Sequence, residues 1–539
     1  MKEKEKRCKE NSKVENKYKT KNQKGITLVA LVITIIIIII LATVTINMAF
    51  GDNGLIKQAQ LAKDMAANSV TAEQEGMNSL MDEYANLMEE DGDIDKPDEF
   101  VDVLPSKPSL SEGMTPVKWN GSNWVKTTAS DNEWYDYANK EWANVVLTPE
   151  SGVNAGKDAT GTVDVFNEDG TLNEDSAYTM LVWIPRYAYQ ITSGYHQSGA
   201  DINPSDGTTG AGTIEIVFID TNNQNKAKTE TYSETYPNYS TGSGMEDYVV
   251  HPAFNYGGTK LNGFWVGKFE TSHTGCTTEE STGSTDTNAT TLTAQIKAGV
   301  TSWRNIQVSN IFTVCTEMNR AGNPYGLNTS DAAVDPHMMK NSEWGAVAYL
   351  SQNTTYGKGS EVWINNSSTY ITGNAGNSVS AGSASGVTNA YNTTNGQQAS
   401  TTGNITGVYD MRGGSWEYVA GYVNNSYADD YASNLVNAAE KYKDVYSVGS
   451  SDSRENDYEV STPANGHYGD AVYETSSGVS SPYMNSWYRG FSYFPNSSSP
   501  FFGRSGGFAP ESGVSVFCST ETTGYSYNSS SFRVVLPVL

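Results

Sequence analysis

The chain has 539 residues, 37% hydrophobic and 18% charged, with 50 glycines, 33 tyrosines and 11 tryptophans. Such aromatic content excludes a disordered chain, and the abundance of glycine and turn residues excludes a helical bundle. A formal charge of −26 excludes a nucleic-acid surface, because phosphates would be repelled. The length allows about three domains.

Charge is unevenly placed. Residues 1–25 form a basic leader with ten Lys/Arg and four Glu. From Ile26 to Gly51 there is no charged residue. As a helix this run is long enough to cross the ~30 Å core of a bilayer. The basic side stays cytoplasmic, so everything after Phe50 is expected outside the cell membrane, at the cell surface. The membrane, through Ile26–Phe50, is the first partner expected. Lys24-Gly25 just before the run resembles a type IV prepilin. That resemblance implies a prepilin peptidase cutting after Gly25, a mature N-terminus at Ile26, and pilin subunits as partners. Ala30 stands at the fifth mature position, where pilins usually carry Glu. Leu55, Ala59, Ala62, Ala66, Met77, Leu80, Met81, Tyr84 and Met88 recur near helical spacing. A prepilin-like hydrophobic and then amphipathic helix is therefore expected over 26–88.

Residues 89–113 are acidic and contain Pro and Gly, the composition of a linker. In 114–150, Trp119, Trp124, Trp134, Tyr135, Tyr137 and Trp142 alternate with polar and turn residues. Short strands forming a small aromatic β unit are expected there, rather than a carbohydrate platform. From Thr179, TMLVWIPRYAYQI reads as a buried strand followed by an exposed one. TIEIVFI at 213–219 and GFWVGKFETS at 263–272 read as strands. Residues 301–319, with Ile306, Val308, Ile311, Phe312, Cys315 and Met318 on one face, read as an amphipathic helix. Residues 337–352 read as a second helix opening at Asn-Ser. Residues 365–405 are Asn/Ser/Thr/Gly-rich and read as loop, and 532–538 as a final strand.

Six motifs in order then carry a resemblance to the formylglycine-generating enzyme, or sulfatase-modifying-factor, family: GFWVGKFETS, VTSWRNIQVSNIFTVCTEMN, KNSEWGAVAYL, GVYDMRGGSWEYVAGY, FGRSGG and SFRVVL. The segment 183–539 that carries them is about two-thirds of the chain. The resemblance implies a C-type-lectin-like head over 179–539, and with it an α+β fold class: a long N-terminal helix, a small β unit, then a loop-rich head. Within the last motifs, Trp416 reads as a ring for the core. Glu417 beside it is costly to bury alone and needs an Arg or a cation as partner.

Members of that family oxidise a substrate cysteine at a copper site held by two thiolates, which suit Cu(I). This chain has Cys8, Cys276, Cys315 and Cys518, of which Cys518 alone lies in the matching region. Val534 stands where the family often has Cys. No copper and no catalysis are expected. In an oxidising setting a Cys276–Cys315 disulfide is one option, and two buried or separate thiols the other. His337 has no metal-ligand companion at i+4. The family's Trp-Glu turn implies a Ca²⁺ site at Asp410, Gly413, Ser415 and Glu417, whose oxygens suit that ion. The alternative is that Asp410 and Glu417 satisfy backbone N–H groups.

The last fifty residues are dominated by Tyr, Phe, Ser, Asn and Gly, the mixture of an antibody-type paratope. Trp487, Arg489, Gly490, Gly503, Arg504, Gly506, Gly507, Phe517, Phe532 and Arg533 read as framework. Tyr493, Phe494, Asn496, Phe508, Glu511, Tyr525, Tyr527 and Asn528 read as ligand-facing. The layout resembles the variable proteins of diversity-generating retroelements. The function expected is therefore non-catalytic binding of an external protein or glycan by a surface-displayed, membrane- or pilus-anchored protein. A formylglycine-generating-type oxidase and a structural minor pilin are the alternatives.

Overall fold

The computed structural model describes residues 106–197, 211–225, 228–276, 286–379, 387–424, 428–447, 467–477, 485–508 and 513–539. All of them lie in the unit Asp102–Leu539. The leader, the processing positions Gly25 and Ile26, the expected helix over 26–88 and most of the acidic linker lie outside the described residues.

The strands that matter are, in chain order, β1 (Met114–Trp119), β2 (Trp124–Lys126), β3 (Asn144–Leu147), β4 (Thr179–Pro185), β5 (Tyr187–Ser193), β6 (Thr213–Phe218), β7 (Val249–Val250), β8 (Gly263–Gly267), β9 (His337–Met338), β10 (Trp416–Val423), β11 (Asp444–Tyr446), β12 (Phe501–Arg504), β13 (Thr520–Thr522), β14 (Ser530–Phe532) and β15 (Val534–Pro537). The helices are α1 (Val308–Thr316), α2 (Asn341–Gln352) and α3 (Asp429–Val436). A seven-stranded antiparallel sheet runs β9-β15-β8-β4-β3-β1-β2. A second sheet runs β11-β10-β12-β13, with β14 also pairing with β10. A third, β7-β5-β6, flanks them.

The fold class is corrected by this arrangement. Instead of an α+β chain led by a long helix, the described residues form strands and loops with three helices of nine, twelve and eight residues. Among them no helix is long and apolar enough to cross a membrane.

The aromatic stretch 114–150 is not a unit apart. Its strand β3 pairs with β4 from Asn144↔Val182 to Leu147↔Thr179, so the expected boundary at 179 falls inside one sheet. Trp134 also stacks on Trp265, with centroids 6.4 Å apart. Trp124, Trp142, Trp183 and Trp265 are all fully buried and share one core. Burying four such rings stabilises more than any isolated small unit could achieve.

Several elements differ in extent from the sequence reading. β5 is largely buried rather than exposed, because β6 and β7 cover both its edges. α1 begins at Val308, not at 301, since Asn305 adopts a left-handed φ of 57° that ends any helix there. The final strand is two strands: β14 belongs to the second sheet and β15 to the first, with Arg533 between them. α2 opens at the expected Asn-Ser, but 337–338, read as part of it, form strand β9, and the Glu343 carboxylate accepts the Lys340 N–H at 2.8 Å. The same carboxylate takes His337 Nε2 at 2.9 Å, so that lone histidine is a buried structural group. No disulfide joins Cys276 and Cys315: Cys276, Cys315 and Cys518 are all thiols.

Candidate functional site

The turn 407–415 and the segment 504–507 meet at the start of β10. Gly413 N donates to Ser505 O at 3.0 Å, and the Ser505 hydroxyl donates back to Gly413 O. Ser505, Gly506 and Gly507 have φ of 78°, 93° and 70°, a left-handed run that lays Gly507 against the Trp416 indole, where a Cβ would sit 3.3 Å from Nε1. Gly414, at φ +70°, approaches so closely that a Cβ there would sit 2.4 Å from Glu270 Oε1.

Beneath this turn lies a buried charged cluster. Arg533 donates Nη2–H to Glu417 Oε1 at 2.6 Å and Nε–H to Oε2 at 3.0 Å. The partner that Glu417 requires is thus an arginine. Asp410 accepts from Asn365 Nδ2 at 2.8 Å and from Gly373 N at 2.9 and 3.0 Å. Glu270 accepts from Ser415 N at 2.7 Å. Burial, then the charges of Asp410 and Glu417, push the Glu270 carboxyl well above the usual carboxylate range. Burial raises Glu417 to about 7 against the pull of Arg533. Burial and mutual repulsion thus favour a proton on Glu270, while Arg533 favours the ionised form of Glu417.

The four positions implied for Ca²⁺ do not fit that ion. Both Glu417 oxygens face Arg533, Ser415 Oγ pairs with Ser302 Oγ at 2.8 Å, and Gly413 O accepts from Ser505. Asp410 is spent on Asn365 and Gly373. Among the described residues no group of three His, Cys, Asp or Glu converges to hold a metal.

On the outer side of the turn is a pocket of about 230 Å³ walled by Tyr370, Trp416, Phe491 and Phe508, with Val514 and Ser529 completing it. All four aromatic rings are half-buried. Tyr370 and Phe508 meet edge to face at 5.1 Å. The Arg304 guanidinium lies 3.9 Å from the Tyr370 ring centroid and also donates to Asn528 O. Tyr370 itself has φ of 57°, a strained setting for a bulky residue. Its backbone holds it there: Tyr370 N donates to Ser367 O at 3.0 Å, and its carbonyl accepts Ser302 N at 2.9 Å. Strain of this kind persists only where the surroundings over-determine it, and it concentrates at binding sites.

The expected ligand-facing residues divide. Phe508 forms a wall of the pocket. Tyr493 is half-buried behind it, against Phe491 at 5.7 Å. Tyr525 and Tyr527 are 45% and 41% exposed and touch edge to face at 5.5 Å. Tyr431 joins them at 5.1 Å from Tyr525. Asn528 is exposed beside them, and residues 527–529 lead from this patch to the pocket. Asn496 is a turn residue, whose Oδ1 accepts from Ser498 N and Ser499 N at 3.0 Å. Phe494 is corrected to core: it is fully buried, edge-on to Phe502 at 5.3 Å and Tyr446 at 5.6 Å. Glu511 lies outside the described residues.

Tyr370, Phe491 and Ser529 escape sequence reasoning, and Trp416 is rim rather than core. The signal for Tyr370 was that it is one of only two aromatics, with Tyr391, in the polar stretch 365–405. For Trp416 it was the two preceding glycines, which turn the strand's first residue outward.

A larger cavity of about 450 Å³ lies beside the start of α2, lined by Lys340, Asp444 and Asp470 among others. Several of its charges are already engaged. Lys441 pairs with Asp335, Lys443 donates to Val436 O and Ala438 O, and Asp444 accepts Ser342 N. The aromatic pocket is the better candidate on chemistry, though the smaller. Compared with known proteins, the chain matches no family and no curated protein.

Proposed function

We propose that this protein recognises an external ligand without chemistry, through the aromatic pocket and the tyrosine patch that adjoins it. The observation that carries the reading is Tyr370: a bulky residue in a left-handed setting, clamped by Arg304, facing an open pocket. A rigid scaffold displaying aromatic side chains on loops is how recognition surfaces are built. The resemblance to formylglycine-generating enzymes supplies the ancestry, and the cysteines support the loss of catalysis. Among the described residues Cys518 is the thiol near the pocket, beneath Gly506, and burial raises it to about 11, which suppresses the thiolate. Attachment to a membrane through Ile26–Phe50 is part of the same reading and rests on the charge pattern of the sequence.

The test is adhesion of cells displaying the full chain to candidate host or biofilm surfaces. Tyr370→Ala and Trp416→Ala should abolish adhesion at unchanged display level and melting temperature. Adhesion that survives both substitutions would place recognition elsewhere on the protein.

A further inference from the structure

At about 230 Å³ the aromatic pocket is smaller than the roughly 300–1,000 Å³ that drug-sized ligands fill. It has room for one six-membered ring and not for a row of them. No acidic or basic side chain lines it. Two guanidiniums lie beside it and are occupied: Arg304 by the Tyr370 face and Asn528 O, and Arg412 by Val514 O, Val362 O and Val379 O. A charged occupant would be desolvated there without a counter-ion.

Two neutral occupants have the right size: a monosaccharide ring, or a single apolar side chain of a protein. The polar groups of the pocket separate them. The Trp416 indole N–H and the hydroxyls of Ser529 and Tyr370 have no hydrogen-bond partner among the described residues. An apolar side chain would cover these three groups and leave them unsatisfied, which opposes binding. A pyranose has one face of C–H groups to lie on an aromatic ring and a rim of hydroxyls. That rim can accept from the indole N–H and exchange hydrogen bonds with the two hydroxyls.

From this match we infer that the pocket takes the terminal ring of a neutral, hexose-containing glycan. The inference rests on the recognition reading above and names its ligand class. The exposed Tyr525 and Tyr527 then offer a second surface to the rest of the glycan, since residues 527–529 connect the two.

The experiment uses the full chain in detergent micelles and ligand-observed saturation-transfer NMR. The probes are the methyl glycosides of glucose, galactose, mannose and N-acetylglucosamine, each up to about 10 mM, where weak single-ring contacts are still visible. N-acetyl-tyrosine amide and N-acetyl-leucine amide stand in for protein side chains. At least one glycoside should show transfer and quench tryptophan fluorescence. Trp416→Phe, which keeps a ring and loses the N–H, should weaken it about tenfold. Ser529→Ala should weaken it less, and Val153→Ala, at a fully exposed position far along the chain, should leave it unchanged. Binding of an amide instead of every glycoside, lost in Trp416→Ala, would overturn the sugar assignment while leaving the recognition pocket standing. Glycoside binding indifferent to Trp416 and Ser529 would overturn it as well. No binding of any probe, with adhesion still dependent on Trp416, would do the same.

Discussion

Arg533 holds Glu417 through two parallel N–H bonds while both side chains are sealed from water. Arg533 stands where the chain leaves the second sheet and enters the first, and Glu417 lies on β10 of the second. Arg533 also donates to Gly267 O at 2.7 Å and Tyr409 O at 2.9 Å. The pair therefore pins the crossover between the two sheets, one residue from the pocket wall at Trp416.

Removing one partner leaves the other charge buried alone, which typically costs about 3–5 kcal/mol. Glu417→Ala and Arg533→Ala should each lower stability by that order in chemical denaturation. The double variant should lose less than the two losses combined, because neither charge is then stranded. Additive losses would show that the two side chains act independently.

The carboxyl of Glu270 is raised in the folded protein, and that of Glu417 to about 7. A raised carboxyl binds a proton in the folded state that the unfolded chain has released. Its contribution is complete below the unfolded value and is lost as pH rises through the folded one. Between about pH 5 and 8 this cluster should lower stability as pH rises. Glu270→Gln keeps an acceptor for Ser415 N and removes the repulsion. It should flatten that slope and raise stability at pH 8. Parallel wild-type and variant profiles would refute the effect.

Lys268 is fully buried, with its ammonium donating to Asn144 Oδ1, Ile405 O and Gly407 O at 2.8, 2.7 and 2.9 Å. It also faces the Trp124 ring at 4.8 Å. Lys268→Met should cost about 3 kcal/mol or more by leaving three buried acceptors unpaired. A melting temperature within a degree or two of wild type would mean that water replaces the ammonium.

Phe494 and Tyr525 are near in sequence and opposite in environment. Phe494→Ala should cost about 3–5 kcal/mol as a core cavity. Tyr525→Ala should change stability by about 0.5 kcal/mol or less. Equal destabilisation, measured by thermal melts, would contradict the burial described.

Cys315 and Cys518 are buried thiols, the first pushed well up by burial and the second to about 11. Cys276 is partly exposed. Native protein titrated with a thiol reagent should therefore react at Cys276 well before Cys315 and Cys518. Both slow sites should open only on unfolding. Fast labelling of Cys518 would reopen thiol chemistry at the pocket.

Local pattern made much of the framework legible. The apolar runs of β4, β6 and β8 and the periodicity of α1 and α2 are signals carried by neighbouring residues. The need of Glu417 for a partner was also legible, because burying a carboxylate alone is costly whatever the fold. α3 was not, since its Asp-Asp-Tyr-Ala-Ser start has little apolar periodicity and takes its place through Ser309 and Asn434. Phe494 was misplaced because alternation of ring and polar residue looks the same on a surface loop and beside a core.

Composition and charge order determined by themselves that this is an aromatic-cored, turn-rich body behind a basic and then apolar start. They do so because those properties are sums over residues or over near neighbours. Which side chains form the pocket was decided only by the tertiary structure. Tyr370, Trp416, Phe491 and Ser529 are separated by dozens of residues and brought together by two sheets joined at Arg533. Their shared surface exists only once that crossover has closed.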